Sequence, residues 1–126
     1  MEMRRGIFER MPFTEIWKKY PKEAEILFYN EALFYIEGAE TVDDAQNRVY
    51  EAFRKLGEKH RGQTVAVGFH GSVLRHFVAK VLKVEKEDVE KCVPLSPNAS
   101  ITYVDYENGE FSLVKYGSDE HLRSIQ

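Results

Sequence analysis

The sequence places a histidine, a glycine and a serine between two apolar segments of different periodicity, at His70-Gly71-Ser72. The preceding run, Val65 to Phe69, is short and rich in β-branched residues, which is typical of a strand buried on both faces. Helical spacing governs the apolar residues that follow, at Val73, Leu74, Phe77, Val78, Val81 and Leu82. We therefore expect His70 where a strand ends and a helix begins, the place where open α/β sheets bind ligands.

Such a helix start favours an anion such as phosphate, because its free N–H groups and the positive end of its dipole face the ligand. Gly71 has no side chain and would let a ligand approach the backbone closely. The alternative interpretation is structural: His70 caps the helix or hydrogen-bonds in the core. Ser72 fits a helix cap better than a nucleophile, because no G-x-S-x-G elbow surrounds it.

Length and composition indicate a single soluble domain over residues 1–126. The net charge of −3 gives no reason to expect nucleic acid or an anionic membrane as a partner. Cys92 is the only cysteine, so an internal disulfide is excluded and a cytoplasmic location is expected. We see no apolar run of membrane-spanning length and no signal peptide.

The remaining elements follow from periodicity and from turn residues. Helices are predicted over residues 13–20, part of 22–35, 42–59 after a Thr41 cap, 71–83 and briefly 86–91. Pro12 suits a first helical position, and Pro21 stops the first helix.

Strands are predicted at 100–106 and 111–116 around the turn Asn108-Gly109. Residues 1–10 suggest a surface tail anchored by Ile7 and Phe8. This order predicts an α/β fold with a mixed, mainly parallel sheet flanked by helices.

Several segments, in this order, match the motifs of one family. Residues 70–75 (HGSVLR) look like a strand-end motif H-G-x-(V/I)-(I/L)-R, and residues 2–9 (EMRRGIFE) look like E-x-x-x-G-x-(W/F)-E. Residues 38–41 (GAET), 98–102 (NASIT) and 119–122 (DEHL) are similar to G-G-E-S, N-x-S-I-T and a terminal H-L segment. Together they resemble the histidine phosphatase superfamily, in its phosphoglycerate mutase-like branch that includes the α-ribazole phosphatases.

The resemblance implies transfer of a phosphoryl group to a neutral histidine and then to water or another hydroxyl. His70 would donate a hydrogen bond to a phosphoryl oxygen, and the N–H groups of Gly71 and Ser72 would add to that contact. Glu2 matches the family's general acid, a role that needs burial or a nearby anion to raise its pKa. No metal or other cofactor is implied, and the histidines lack metal-ligand spacing.

One part of the family pattern has no counterpart in this sequence. The family's first strand ends in R-H-G-x-T, whose histidine accepts the phosphoryl group, and no R-H-G occurs here. Arg75-His76 is followed by Phe77 and belongs to the predicted helix. We therefore expect an N-terminally truncated domain in which the strand at Val65–Phe69 lacks a neighbour. Self-association, or pairing with a complementary N-terminal chain, would cover its open edge.

Two functional classes remain open. The first is a phosphomonoester hydrolase or mutase that is incomplete or inactive alone and is completed by a segment carrying the nucleophile. The second is a non-catalytic phosphate- or anion-binding remnant that self-associates. In both, the expected ligand is phosphate or a phosphorylated small molecule, bound around His70.

Overall fold

The structure is a computed structural model that describes residues 3–29 and 31–125, so Glu2 lies outside the described residues. Within them the chain forms five α-helices: α1 Phe13–Lys19, α2 Pro21–Tyr29, α3 Val42–Lys59, α4 Gly71–Val81 and α5 Val89–Cys92. Two strands follow, β1 Ile101–Glu107 and β2 Glu110–Ser118. Short 3₁₀ segments lie at Gly6–Arg10, Glu31–Leu33, Lys86–Asp88 and Glu120–Ile125.

Helices α3 and α4 pack together in the larger apolar core. α3 begins where the sequence predicts, because Thr41 Oγ1 accepts a hydrogen bond from the Asp44 N–H at 3.1 Å. It also ends at the predicted residue, Lys59. The fully buried side chains of α4 fill the space between α3, α5 and the strands. The buried core residues are Met3, Val42, Ala45, Val49, Val73, Phe77, Val78, Ala79, Val89 and Val93.

The two strands form an antiparallel hairpin, as predicted. Asn108 and Gly109 have φ angles of 54° and 81°, the left-handed values that a two-residue hairpin turn requires. One face of the hairpin lies on the larger core, where the Phe111 ring is 5.3 Å from Phe77 and 5.2 Å from Tyr50, centroid to centroid. The hairpin therefore covers one side of the α3–α4 pair.

The N-terminal residues are held against the domain rather than forming a surface tail. Phe8 is buried as predicted, but Ile7 is 41% exposed, and the second anchor is Met3, which is 4% exposed. The backbone is fixed too, because the Glu40 N–H donates to the Arg4 carbonyl at 2.9 Å. A main-chain bond holds this segment even where its side chains face solvent.

Helices α1 and α2 form a second, smaller cluster with the N-terminal segment. Pro12 caps α1 instead of occupying its first helical position, which corrects the sequence-based expectation. Pro21 does stop α1, and it also begins α2, because a helix's first turn needs no N–H from that residue. The buried members of the cluster are Phe8, Ile16, Ala24, Phe34 and Ile36.

The expected central strand is the main correction to the sequence-based fold. Residues 64–69 form no strand, and Val65 and Val67 are 45% and 46% exposed. Ala66 and Gly68, which alternate with them, are exposed as well. Among the described residues, no backbone group from 64 to 69 bonds to another backbone group. Periodicity identifies residues suited to a buried strand, but a strand forms only where a neighbouring strand pairs with it. The sheet formed by the described residues contains only β1 and β2, which are antiparallel, and it does not include residues 64–69.

His76 is the most deeply buried titratable side chain in the described core. It is 1% exposed, and neither ring nitrogen has a hydrogen-bond partner. Burial lowers the pKa of His76, although the negative charge of Glu31 opposes that change. Arg75 and Arg5 act in the same direction as burial, whereas Glu90 acts with Glu31.

The Gly6→Ala substitution tests the fixed N-terminal segment. Gly6 has φ 59°, and an added Cβ would lie 2.4 Å from the Glu37 carbonyl oxygen and 2.5 Å from the Ala39 nitrogen. At Gly62, with φ 74°, nothing lies within 4 Å of such a Cβ. In urea unfolding we expect Gly62→Ala to cost about 1–2 kcal/mol from backbone strain alone. Gly6→Ala should cost a further 1–3 kcal/mol, roughly, from overpacking. Equal losses would contradict the described packing.

The buried, neutral His76 predicts a pH-dependent stability. Its pKa is lower in the folded state than the value of about 6.5 expected when unfolded, so the unfolded chain binds the extra proton as the pH falls. The free energy of unfolding should therefore decrease from about pH 7.5 to 5.5, above the usual carboxyl range near about 4. Urea unfolding of His76→Phe should lose this slope. His60→Ala, at the surface end of α3, should retain it, and an unchanged slope in His76→Phe would refute the assignment.

Candidate functional site

His70 lies at the N-terminal end of α4, as the spacing of the sequence predicts. It is the N-cap residue, with extended φ and ψ of −99° and 141°, and its carbonyl accepts from the Leu74 N–H at 3.0 Å. Its side chain is exposed. The 11 residues of α4 present the positive end of the helix dipole beside it. This arrangement can bind an anion, and His70 as its ligand stays a prediction.

Gly71 and Ser72 follow as the first two residues of α4. Ser72 is not the helix cap, which corrects the sequence-based interpretation; its Oγ instead donates to Glu31 Oε1. A Cβ placed at Gly71 would lie 3.7 Å from Ser96 Oγ, an ordinary contact distance. The chain's own packing therefore does not require glycine at this position.

A buried carboxylate connects this helix start with the N-terminal segment. Arg5 Nη2 donates to Glu31 Oε1 at 2.5 Å, and Ser72 donates to the same oxygen. Glu31 is 9% exposed, and its own N–H donates to Glu90 Oε1 at 3.2 Å. Burial by itself raises the pKa of Glu31, but the hydrogen bonds from Arg5 and Ser72 outweigh it, so the pKa lies below its usual value. The carboxylate is therefore charged at neutral pH.

Sequence reasoning missed Arg5 and Glu31 as site residues. They lie far from Ser72 along the chain, and no local spacing connects the three. The available signal was one charged residue, Glu31, inside the apolar and aromatic segment at 26–36. A carboxylate in such a segment is buried only when it is paired, so it points to a partner elsewhere in the chain.

A cavity of about 460 Å³ opens over these three residues. Arg5, Glu31 and Ser72 form its polar side, together with Glu9. The other lining residues are apolar: Phe8, Met11, Phe13, Ile16, Leu27, Phe28 and Leu95. Phe13 of α1 and Phe28 of α2 thus form part of the wall of a cavity. Trp17 stacks on Phe28, with ring centroids 5.3 Å apart and planes at 20°.

Two other arginines near the predicted motifs are occupied by structural contacts. Arg48 makes two hydrogen bonds to the Glu40 carboxylate, at 2.8 and 3.1 Å. Arg75 is buried, donates to the Val93 carbonyl at 2.5 Å and lies 3.0 Å from Glu90. Arg75 is therefore paired with an acid. Arg5 is the arginine that lines the cavity over Ser72.

The remaining predicted residues have separate locations. Glu2 lies outside the described residues, so its role as general acid stays a prediction; the described segment that follows it is held in place from Met3 onward. His121 lies near the C-terminus, with Nε2 2.9 Å from the Ala99 carbonyl oxygen. Cys92 is a free, exposed thiol.

Residues 3–29 and 31–125 contain no cluster of three or more His, Cys, Asp and Glu side chains that could hold a metal ion. In the same residues, the helices are all too short or too polar to cross a membrane.

Comparison with known proteins identifies the family to which this arrangement belongs. The chain is 30% identical over 100 residues to the 2,3-bisphosphoglycerate-dependent phosphoglycerate mutase 1 of Gloeobacter violaceus, covering 78% of this chain and 43% of that protein. It is 26% identical over 85 residues to the phosphoglycerate mutase-like protein 4 of Arabidopsis thaliana, covering 68% of this chain and 35% of the relative. The chain thus spans less than half the length of either curated relative.

The fold is similar to that of a solved structure, Bacillus stearothermophilus YhfR. The TM-score is 0.87 at 24% identity, over 96% of this chain and 59% of that one. The model of the histidine phosphatase superfamily (branch 1) matches residues 1–119. That match covers nearly the whole chain, including the segment around His70, and so the chain belongs to the histidine phosphatase superfamily.

Proposed function

We propose that this protein takes part in phosphoryl transfer on phosphomonoesters, as a hydrolase or mutase of the histidine phosphatase type. The observation that carries the proposal is the exposed His70 at the N-cap of α4, inside a segment that the family model matches. The relatives named as phosphoglycerate mutases support the same reaction class. The expected ligand is therefore a phosphorylated small molecule, in a cytoplasmic setting.

In this proposal, the start of α4 stabilises the phosphoryl charge. His70 donates a ring N–H to a phosphoryl oxygen, and the N–H groups of Gly71 and Ser72 face the same anion. These donors are fixed by the helix before the ligand arrives, so little reorganisation is needed when charge develops in the transition state. The Ser72 hydroxyl already donates to Glu31, so Ser72 contributes its backbone rather than its side chain. Glu2 remains the proposed general acid.

In this proposal the phosphoryl acceptor comes from residues outside this sequence, since the family's R-H-G motif does not occur in it. We propose that the strand carrying the acceptor pairs with residues 64–69. Those residues are uncharged, residues 64–68 are exposed on both alternating faces, and the stretch makes no backbone pairing among the described residues. Pairing there would convert the segment into a central strand, giving the mixed, mainly parallel sheet expected from the sequence. The acceptor strand would come from a preceding segment or from a separate N-terminal chain.

The second candidate is a non-catalytic anion-binding protein that self-associates through residues 64–69. The observation that favours it is the same absence of R-H-G from the sequence. Two copies could pair along this stretch without like-charge repulsion, because residues 63–69 carry no charge. The two candidates share the anion site at His70 and differ in turnover.

The anion site can be tested by binding of inorganic phosphate. We expect backbone N–H signals of Gly71 and Ser72 to shift in NMR titrations with phosphate. His70→Ala should weaken binding by about tenfold or more, because a hydrogen bond to the charged phosphate is lost. The matched control is His60→Ala, whose ring lies beside Gln63 at the other end of the preceding loop. Equal phosphate affinity in wild type and His70→Ala would refute the proposed site.

The proposed strand pairing can be tested with Ala66→Pro. In the chain alone, amide hydrogens at 65–69 should exchange rapidly, and Ala66→Pro should leave stability nearly unchanged, since no backbone bond is lost. With an added N-terminal strand segment that carries R-H-G, we expect protection of 65–69 and hydrolysis of an aryl phosphate. Ala66→Pro should abolish both, whereas Val67→Thr should retain them.

Two outcomes would count against the first candidate, and the second of them would count against both. Protection of 65–69 in a concentration-dependent dimer, without hydrolysis after addition of the R-H-G segment, would favour the anion-binding candidate. A stable monomer by light scattering with residues 65–69 already protected would contradict both forms of pairing.

A further inference from the structure

The cavity over Ser72 shares that residue with the proposed phosphate site. Ser72 lines the cavity and lies two residues after His70, in the first turn of α4. Because the Ser72 N–H belongs to the proposed phosphate site, a phosphoryl group that accepts from it would lie at the edge of the cavity. Its volume of about 460 Å³ falls in the range typical of small-molecule sites.

We propose that this cavity takes an uncharged, preferably aromatic, leaving group of a phosphomonoester, and that Glu31 sets this selectivity by neutralising Arg5. The inference rests on the proposed function, because it requires the phosphoryl group to bind at His70. It names the substrate class that the cavity's lining favours.

The apolar lining of the cavity favours an aromatic leaving group. Leu27 and Phe28 of α2 face Phe13 of α1, and the Phe13 and Phe28 rings lie 5.5 Å apart, centroid to centroid. Phe13 and Phe28 are 64% and 48% exposed, so a ligand there would remove large apolar surface from water. An aromatic group would add ring contacts of the kind already present between these side chains.

The charged lining of the cavity disfavours a leaving group that carries a carboxylate. Arg5 is the one cation that lines the cavity among the described residues, and two carboxylates surround it. Its guanidinium donates to Glu31 at 2.5 Å, and its backbone N–H donates to Glu9 Oε1 at 2.9 Å. A leaving group with its own carboxylate would therefore find the guanidinium already paired and would meet the negative charges of Glu9 and Glu31. An uncharged group meets neither obstacle.

A built-in reporter makes the inference testable with the chain itself. Trp17 is the only tryptophan in the sequence and stacks on Phe28, so its fluorescence should respond to a ligand in the cavity. The probes are inorganic phosphate, phenyl phosphate and 2-phosphoglycolate, which carries a carboxylate in place of the ring. Affinities are measured from the NMR shifts of Gly71 and Ser72, and cavity occupancy from Trp17 fluorescence.

We expect phenyl phosphate to bind about tenfold or more tightly than inorganic phosphate, because it buries apolar area. Phenyl phosphate should change Trp17 fluorescence, whereas inorganic phosphate should not. Leu27→Ala should weaken phenyl phosphate several-fold and leave inorganic phosphate unchanged. The matched control is Leu82→Ala, an exposed leucine at the far end of α4, which should leave both affinities unchanged.

Glu31→Gln tests the selectivity residue. Removing its charge frees the Arg5 guanidinium, so the affinity for 2-phosphoglycolate should rise about tenfold relative to phenyl phosphate. Because Glu31 is buried and paired, the fold of the Glu31→Gln variant is checked by comparing its circular dichroism spectrum with that of the wild type. Glu9→Gln, at an exposed residue, is the second variant and should shift the preference in the same direction by a smaller factor.

The results separate this inference from the proposed function. If phosphate binding depends on His70 but phenyl phosphate binds no more tightly, the cavity assignment is overturned and the phosphoryl site stands. If 2-phosphoglycolate binds the wild type as tightly as phenyl phosphate, the selectivity assigned to Glu31 is overturned. If His70→Ala leaves phosphate and phenyl phosphate binding unchanged, the proposed function fails, and this inference fails with it.

Discussion

The Glu31 carboxylate is the interaction on which the geometry of the site depends. It accepts hydrogen bonds from Arg5 of the N-terminal segment and Ser72 of α4, while its own N–H donates to Glu90 of α5. The segment at 31–33 thus links the N-terminal cluster with the larger core. Burying a carboxylate is unfavourable unless its hydrogen bonds are satisfied, and removing one partner leaves the charge uncompensated. The network therefore favours one relative placement of α4, the N-terminal segment and the cavity.

Residues 64–69 show the opposite situation, in which groups suited to burial are left in solvent. The stretch leads from the loop after α3 to His70, the N-cap residue of α4, and so it positions His70. At its far end Phe69 is anchored, with its ring 5.1 Å from Phe53. Between these ends the backbone groups bond to no other backbone among the described residues, which leaves them to water and open to pairing with another strand. The path into the site is therefore fixed at Phe69 and less constrained before it.

How much could be predicted from sequence depended on whether the deciding interaction was local. The bounds of α3 follow from a cap at Thr41 and regular apolar spacing, and the hairpin follows from Asn108-Gly109; each signal lies within a few residues of its effect. The strand expected at 64–69 is not formed by the described residues alone, because pairing depends on a partner strand that spacing cannot reveal. The Arg5–Glu31–Ser72 contacts, separated by 26 and 41 residues, were missed for the same reason. The position of His70 was predictable because a helix start is local, whereas the cavity beside it is formed by distant segments.

Helix α4 connects the exposed start at His70 with the larger core, because one end is exposed and the rest is buried. Its first residue follows His70, while Val73, Phe77 and Val78 are at most 1% exposed. A helix held by such packing cannot rotate or slide without disrupting the core, so the N–H groups at its start keep their directions. Arg75 reinforces this, since its bond to the Val93 carbonyl fixes α4 against the loop that carries Ser96 beside Gly71. Preorganisation of the proposed anion site would therefore be a property of the core, and substitutions that loosen α4 should weaken the proposed phosphate binding even when His70 and its neighbours are unchanged.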